Sequence, residues 1–256
     1  MNRRALTIAS AGAIAAAVAI PAASGAGTAA PQAAAAQGTV SVTPSIMETT
    51  ARRGASTSAV IRNTTNRTLK FKVKARPWKQ AKSGAVRADR SRTLRGVGLS
   101  TKKFKLGAGK SRRVFVTLGR VPGRGSLYGA LDAVGKPPKR SGVNVAYRLV
   151  ASLRFNPASK RYKLRAGTAS ASRGVLGVLV RNAGNTADAV GGSVRITGGG
   201  GAWNGTATAV RILPGKLVRV KLASVRSLRR GTYSARITLN QGGGKRLTTT
   251  KRFTVR

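Results

Sequence analysis

From Thr39 onward the chain alternates apolar and polar residues at period two, and no stretch sustains the 3.6-residue period of an amphipathic helix. The rule is plainest in Thr68-Leu69-Lys70-Phe71-Lys72-Val73-Lys74-Ala75. Leu69, Phe71, Val73 and Ala75 share one face, and Lys70, Lys72 and Lys74 share the other, because successive side chains of a strand point to opposite sides. Val218, Val220 and Leu222 alternate with Arg219 and Lys221 in the same manner. Turn residues punctuate the alternation at Arg53-Gly54, Asn63 to Asn66, Gly107 to Gly109, Pro122-Gly123, Gly184-Asn185, Pro214-Gly215 and Gly242 to Gly244. The pattern predicts strands near 39–49, 56–63, 68–76, 102–107, 112–119, 126–133 and 143–155. A second set is expected near 161–170, 174–182, 189–197, 206–213, 217–223, 231–239 and 246–255. Short, evenly punctuated strands predict an all-β protein built of sandwiches.

The two sets echo each other in one order. Val60 to Asn66 parallels Leu179 to Asn185, Phe104 to Lys110 parallels Val210 to Lys216, and Gly125 to Ala130 parallels Arg230 to Ala235. Asn63 and Asn182 are expected in equivalent turns, and Tyr128 and Tyr233 at equivalent strand starts, where their hydroxyls cap each sandwich. Two tandem immunoglobulin-like β-sandwich domains follow, 37–157 and 160–256, joined at Asn156-Pro157-Ala158-Ser159.

These residues resemble the WxL-interacting cell-surface proteins, secreted bacterial proteins with tandem immunoglobulin-like domains. The carriers are the opening strand Val40-Ser41-Val42-Thr43-Pro44, the Asn63 turn, Leu106 to Lys110, Gly125 to Leu131 and the closing strand Val143 to Val150. The second half repeats the order with the Asn182 turn, Pro214-Gly215, Gly231-Thr232-Tyr233 and Arg252 to Val255. The resemblance implies a peptidoglycan-binding first domain and a host-binding second domain. Pilus-chaperone-like and other bacterial surface sandwiches share the same succession. The family's membrane helix has no counterpart before Arg256, so no transmembrane anchor is expected in the mature chain.

The first residues have a different character. Asn2-Arg3-Arg4 is a positive start, Ala5 to Ile20 is uncharged and Ala-rich, and small residues follow Pro21, with A-x-A-like sites at Ser24-Gly25-Ala26 and Ala34-Ala35-Ala36. Residues 1–36 read as a signal peptide and small-residue linker, which places the protein in the bacterial cell envelope or outside the cell. The apolar stretch is short of the ~20 residues that span a bilayer.

Composition narrows the chemistry. The chain has 49 Lys and Arg against 4 Asp and Glu, a formal net charge of +45, with no His and no Cys. The commonest general bases, thiolate nucleophiles and zinc ligands are thereby missing. The acids Glu48, Asp89, Asp132 and Asp188 are scattered, which disfavours a carboxylate pair or an oxygen-ligated cation site. No enzyme activity, cofactor or metal is expected. Ser111 follows Lys110 without the spacing of a Ser-Lys dyad, and Gly198 to Gly201 lacks the Lys and helix of a phosphate loop, so it reads as a flexible loop.

No internal ion-pair network absorbs this charge, and its field draws anionic polymers. Lys70, Lys72, Lys74, Lys102, Lys103 and Lys105 are the candidate polyanion-binding residues, and Trp78 and Trp203, at expected strand ends or loops, the candidates for stacking on sugar. Nucleic acid is expected to adhere only non-specifically, since aromatics make up 4% of residues and no helix is available to enter a groove. The expected function is a non-enzymatic envelope protein that binds anionic cell-wall polymer or another surface protein. The alternative is a chaperone-like or structural module that adds a β-strand to a protein partner.

Overall fold

A computed structural model describes residues 38–138, 144–244 and 246–256, and the expected signal segment lies outside them. The described chain contains strands and turns but no helix. In order the strands are β1 (Val40–Thr43), β2 (Ile46–Thr50), β3 (Ser56–Asn63), β4 (Leu69–Gln80), β5 (Val86–Ala88), β6 (Val97–Leu99), β7 (Lys103–Leu106), β8 (Ser111–Leu118), β9 (Leu127–Lys136) and β10 (Tyr147–Asn156). They continue as β11 (Leu164–Ser172), β12 (Val175–Asn182), β13 (Ala189–Gly198), β14 (Gly201–Arg211), β15 (Leu217–Ser224), β16 (Gly231–Gln241) and β17 (Leu247–Val255).

The first ten strands form two facing sheets. One has the order β1-β3-β8-β6; the other runs β2-β10-β9-β4, with β5 and β7 both pairing with β4. Alternation aims Ile61, Phe71, Val73, Val114, Val116, Leu131, Leu153 and Phe155 into the space between them, where all are essentially buried. Burial of each such side chain is worth about 1.5–3 kcal/mol, which sets the register of every strand that carries them. The remaining strands form β11-β12-β15 and β14-β13-β16-β17 around a second core that includes Leu176, Val178, Val180, Ile196, Val220, Ile237 and Leu239. The architecture is two immunoglobulin-like sandwiches in tandem.

The opening strand departs from the sequence reading. It is not continuous over 39–49 but breaks at Pro44, which has no N–H to give a ladder. β1 pairs antiparallel with β3 in one sheet, and β2 pairs parallel with Ser152 to Asn156 of β10 in the other. The chain therefore changes sheets after four residues, and β2 covers only the second half of β10.

Three further differences have local causes. β9 runs on to Lys136, three residues past its expected end, and pairs with β4 along the way. The short β5 and β6, of three residues each, carry no readable alternation. The Gly198 to Gly201 segment is a tight hairpin rather than a flexible loop: Gly199 and Gly200, at φ 57° and 79°, take the two positive-φ positions of a two-residue turn, so β14 begins at Gly201.

The sandwiches touch through specific hydrogen bonds. The Gln80 amide uses both ends, its Nε2 donating to the Arg211 carbonyl at 2.7 Å and its Oε1 accepting from the Leu213 N–H at 2.9 Å. Beside it the Arg219 N–H donates to the Lys82 carbonyl at 2.6 Å, so the β4–β5 hairpin lies along β15. A second point of contact joins Ser126 Oγ to the Asn185 carbonyl at 2.6 Å and the Ala187 N–H to the Tyr128 hydroxyl at 3.2 Å.

Candidate functional site

The outer face of the β2-β10-β9-β4 sheet gathers most of the candidate chemistry. Its even-numbered positions on β4, namely Lys70, Lys72, Lys74, Arg76 and Trp78, point away from the core. Register then decides what each meets. Lys70 stands opposite Lys105 on β7 and Lys136 on β9, and Lys72 stands opposite Lys103. These five lysines surround a pocket of about 510 Å³ with Phe104, Val134 and Pro137 in its walls. Like charges directly opposite one another on a sheet cost stability, so the cluster is maintained against a penalty of about 0.2–1 kcal/mol per pair.

Four of the six lysines singled out from the sequence thus come together: Lys70, Lys72, Lys103 and Lys105. Lys74 does not line this pocket, because it stands opposite Asp132 two pairs further along. Lys102 precedes β7, where its carbonyl accepts the Val73 N–H at 2.8 Å, and it does not line the pocket either. Lys136 was not foreseen; the signal that would have found it is the continuation of β9 beyond residue 133.

Asp132 sits in the middle of this face and is only 4% exposed. Arg148 from β10 grips it with two hydrogen bonds of 2.8 Å, and Arg76 Nε from β4 approaches to 3.3 Å. The Arg76 guanidinium also donates to the carbonyls of Arg90 and Arg92, which folds the following loop across the sheet. Asp132 therefore ties three strands of one face together, a role that no sequence motif announced.

Trp78 lies next to this ion pair. It pairs with Ala88 within β4, not at a loose strand end, and lines a groove of about 700 Å³ with Val86, Arg87, Arg148 and Val150. Trp203 is placed differently, inside β14 opposite Ile196, with its ring edge-on to Tyr233 at 5.9 Å. The two tryptophans thus belong to separate sandwiches.

Among the described residues, the edge of β10 that borders the Trp78 groove is open. Tyr147 to Phe155 pair with β9 on one side, whereas β2 covers the other side only from Ser152 onward. The Ser152 N–H donates to Ser45 on the β2 side, and strand alternation sends the N–H groups of Val150 and Arg148 the same way, toward the uncovered edge. Val150 is 42% exposed.

The tyrosines proposed to cap the sandwiches behave unequally. Tyr233 donates its hydroxyl to the Arg229 carbonyl, four residues upstream, at 2.9 Å, the arrangement of a tyrosine corner. Tyr128 donates instead to Asn156 Oδ1 at 3.1 Å while accepting from Ala187 across the junction. Burial, the largest influence, lifts the Tyr128 hydroxyl above the ordinary tyrosine pKa against the lowering effect of the Ala187 hydrogen bond. Near the same junction Asp188 receives Lys160 Nζ and the Tyr162 hydroxyl, both at 3.0 Å. Partial burial pushes the Asp188 carboxyl upward, but these hydrogen bonds together outweigh it and leave the pKa below its usual value.

Among the described residues no group of three or more Asp, Glu, His or Cys gathers to hold a metal ion, and no helix is long and apolar enough to cross a membrane. No protein-family model and no curated protein sequence matches this chain. Its fold does have solved counterparts. A chain of the chaperone–tip adhesin complex of CFA/I fimbriae biogenesis superposes with a TM-score of 0.53 at 13% identity, covering 83% of this chain and 98% of that one. The class 5 fimbriae chaperone CfaA gives 0.51 at 14% identity, covering 83% and 99%. At such identities the likeness is one of fold. It falls on the pilus-chaperone-like side of the sequence reading and not on the WxL-interacting family.

Proposed function

We propose that this chain is a chaperone-like envelope module that binds an exported surface protein by β-strand addition along the open edge of β10. The observation that carries this reading is the partial cover of β10, whose stretch from Tyr147 to Ala151 is hydrogen-bonded to β9 on one side and to no described strand on the other. An uncovered edge offers outward backbone donors and acceptors to a partner strand, and side chains beside it supply selectivity. Here Val150, Val86 and Trp78 give the partner apolar contact, and Arg148 is held in place by Asp132. The fold's counterparts point the same way, since one is a fimbriae chaperone and the other belongs to a chaperone–tip adhesin complex. The reading takes precedence over wall-polymer binding, which rests on the basic charge and its lysine cluster.

The test is a photo-crosslinking residue at position 86, in the groove beside β10, in the producing cell, with and without Val150→Pro. Proline removes one outward N–H and is tolerated on an edge, so the fold is retained. One recurrent protein crosslinked in the native background and lost with proline supports strand addition. Recovery of no repeated protein, or capture unaffected by proline, overturns it.

A second reading rests on the five-lysine pocket, which suits an anionic wall polymer. Replacing Lys70, Lys72 and Lys103 together by Gln is then expected to weaken sedimentation with purified wall and to flatten its salt dependence, since each phosphate contact releases about one counterion. Lys74→Gln, Lys102→Gln and Lys110→Gln together, all outside the pocket, serve as the charge-matched control. Equal effects from both sets would reduce the interaction to the general field, and loss only with Trp78→Ala would assign it to stacking on sugar.

A further inference from the structure

The far end of the second sandwich holds a cleft that neither reading uses. It measures about 680 Å³ and lies where the last residues of β11 and the turn into β12 approach the end of β17. Among the described strands β11 is hydrogen-bonded to β12 and β17 to β16, and the edges of β11 and β17 run beside each other with no ladder between them. Four arginines line the cleft, Arg173, Arg226, Arg230 and Arg256, and no acidic residue does.

The chain brings no acidic side chain to this cluster. Its four acids are all engaged elsewhere: Glu48 with Arg154 and Asn156, Asp89 with Ser91, Asp132 with Arg76 and Arg148, and Asp188 with Lys160 and Tyr162. The counter-charge comes from outside the chain, from solvent ions or from a bound partner. Two of the arginines are also fixed in place. Arg173 is the one described non-glycine residue with a positive φ, 52°, at a turn position that favours Asn, Asp or Gly. Arg226 packs across the next residue, Gly174, so closely that a Cβ there would lie 2.4 Å from its Cγ. A strained arginine retained in a cluster of its own charge is the kind of backbone outlier that accompanies binding sites.

We propose that this cleft binds an acidic peptide segment of a partner protein in extended conformation. Its backbone pairs with the open edge of β11, and its carboxylates are taken by the arginine forks. A peptide is favoured over a phosphodiester polymer because the cleft combines charge with a strand edge that has no ladder partner and an apolar side formed by Ala169, Ala171 and Val255. A polyphosphate matches the first of these features and neither of the others. The site is on the opposite sandwich from β10 and stands or falls independently of the strand-addition reading.

The experiment follows fluorescence anisotropy of a labelled peptide alternating Asp with Val, on the mature protein at near-physiological salt. Replacing Arg226 and Arg230 together by Gln is expected to weaken binding about tenfold or more, the scale of losing one to two charge-assisted hydrogen bonds. Arg52→Gln with Arg53→Gln, the same charge change on the other sandwich and outside the pockets described above, is expected to alter it less than about twofold if recognition is local rather than a matter of general field. Arg173→Gly is a second variant that relieves the turn, keeps the fold and still weakens binding. Peptide N-methylated at alternate residues is expected to bind poorly. Equal losses from the two double variants overturn the proposal, because the general field then accounts for binding. Undiminished binding of the N-methylated peptide, with polyphosphate displacing it, also overturns it in favour of a phosphate-polymer site.

Discussion

Asn63 and Asn182 make the same set of hydrogen bonds in the two sandwiches. Each Nδ2 donates to the carbonyl four residues on, Arg67 at 2.8 Å and Thr186 at 2.7 Å. Each also reaches an apolar residue's carbonyl across the sandwich, Leu106 at 3.0 Å and Ile212 at 2.6 Å. Each Oδ1 accepts from the N–H two residues later, that of Thr65 or Gly184. Both side chains are fully buried, so no water can substitute for these partners.

Asn63→Ala and Asn182→Ala are each expected to cost about 2–4 kcal/mol, since several buried carbonyls and an N–H lose their partner at once. Urea unfolding of the two single variants measures this. A loss below about 1 kcal/mol at either site contradicts the shared role.

Removal of Asp132 leaves two guanidinium groups facing each other over one sheet. Asp132→Ala is expected to destabilise the protein by about 2–4 kcal/mol, somewhat less than a fully buried pair because Arg148 keeps contact with water. Arg148→Met in the Asp132→Ala background relieves the stranded charge and is expected to recover part of the loss. Thermal unfolding of the single and double variants gives the comparison.

Gln80 mimics a strand's backbone, giving a donor and an acceptor to the turn before β15. Gln80→Ala is expected to free the Leu213 amide, whose hydrogen exchange then accelerates about 5- to 30-fold, corresponding to about 1–2 kcal/mol. Exchange in the cores of both sandwiches should stay unchanged. Uniform acceleration across the chain would show that Gln80 supports the whole fold and not the junction.

The Asp188–Lys160 pair sets a pH dependence with a definite sign. Because the folded Asp188 pKa is depressed, its contribution is fully present above the unfolded value of about 3.9 and is lost as pH falls through the lower folded value. The hydrogen bond to Asp188 raises the Lys160 pKa, so the same contact weakens at the alkaline end as pH rises through the folded lysine value. Asp188→Asn is expected to flatten stability against pH at both ends. Denaturant titrations of the parent and variant at acid, neutral and alkaline pH follow the effect.

Alternation made the cores legible. Leu69, Phe71, Val73 and Ala75 could be assigned inward from the sequence because period two admits one buried face, and the structure buries all four. The turns around Asn63 and Asn182 were legible because only a few residue types meet such buried backbone demands. Lys136 and Asp132 were not, since their partners are fixed by which strands become neighbours and at what register, and alternation within one strand carries neither. The open edge of β10 was hidden for a related reason: it depends on where the opening strand changes sheets. Trp203 was placed at a strand end or loop, not within a strand, because the glycines before it obscured a turn of two residues.

The commitment of all four carboxylates to internal partners governs how copies of this protein treat one another. Two molecules approaching edge to edge carry few surface acids, chiefly Glu48 and Asp89, against a large excess of lysines and arginines, so their encounter is repulsive on balance. Repulsion of this kind is a colloidal barrier: it lets a strand edge stay uncovered without seeding fibres, while an acidic chain still passes. The barrier is borrowed from the solvent's low ionic strength and shrinks with the Debye length, from about 10 Å at 0.1 M to about 3 Å at 1 M salt. Salt therefore acts in opposite directions on the two fates of the same edge, releasing acidic partners and admitting identical copies.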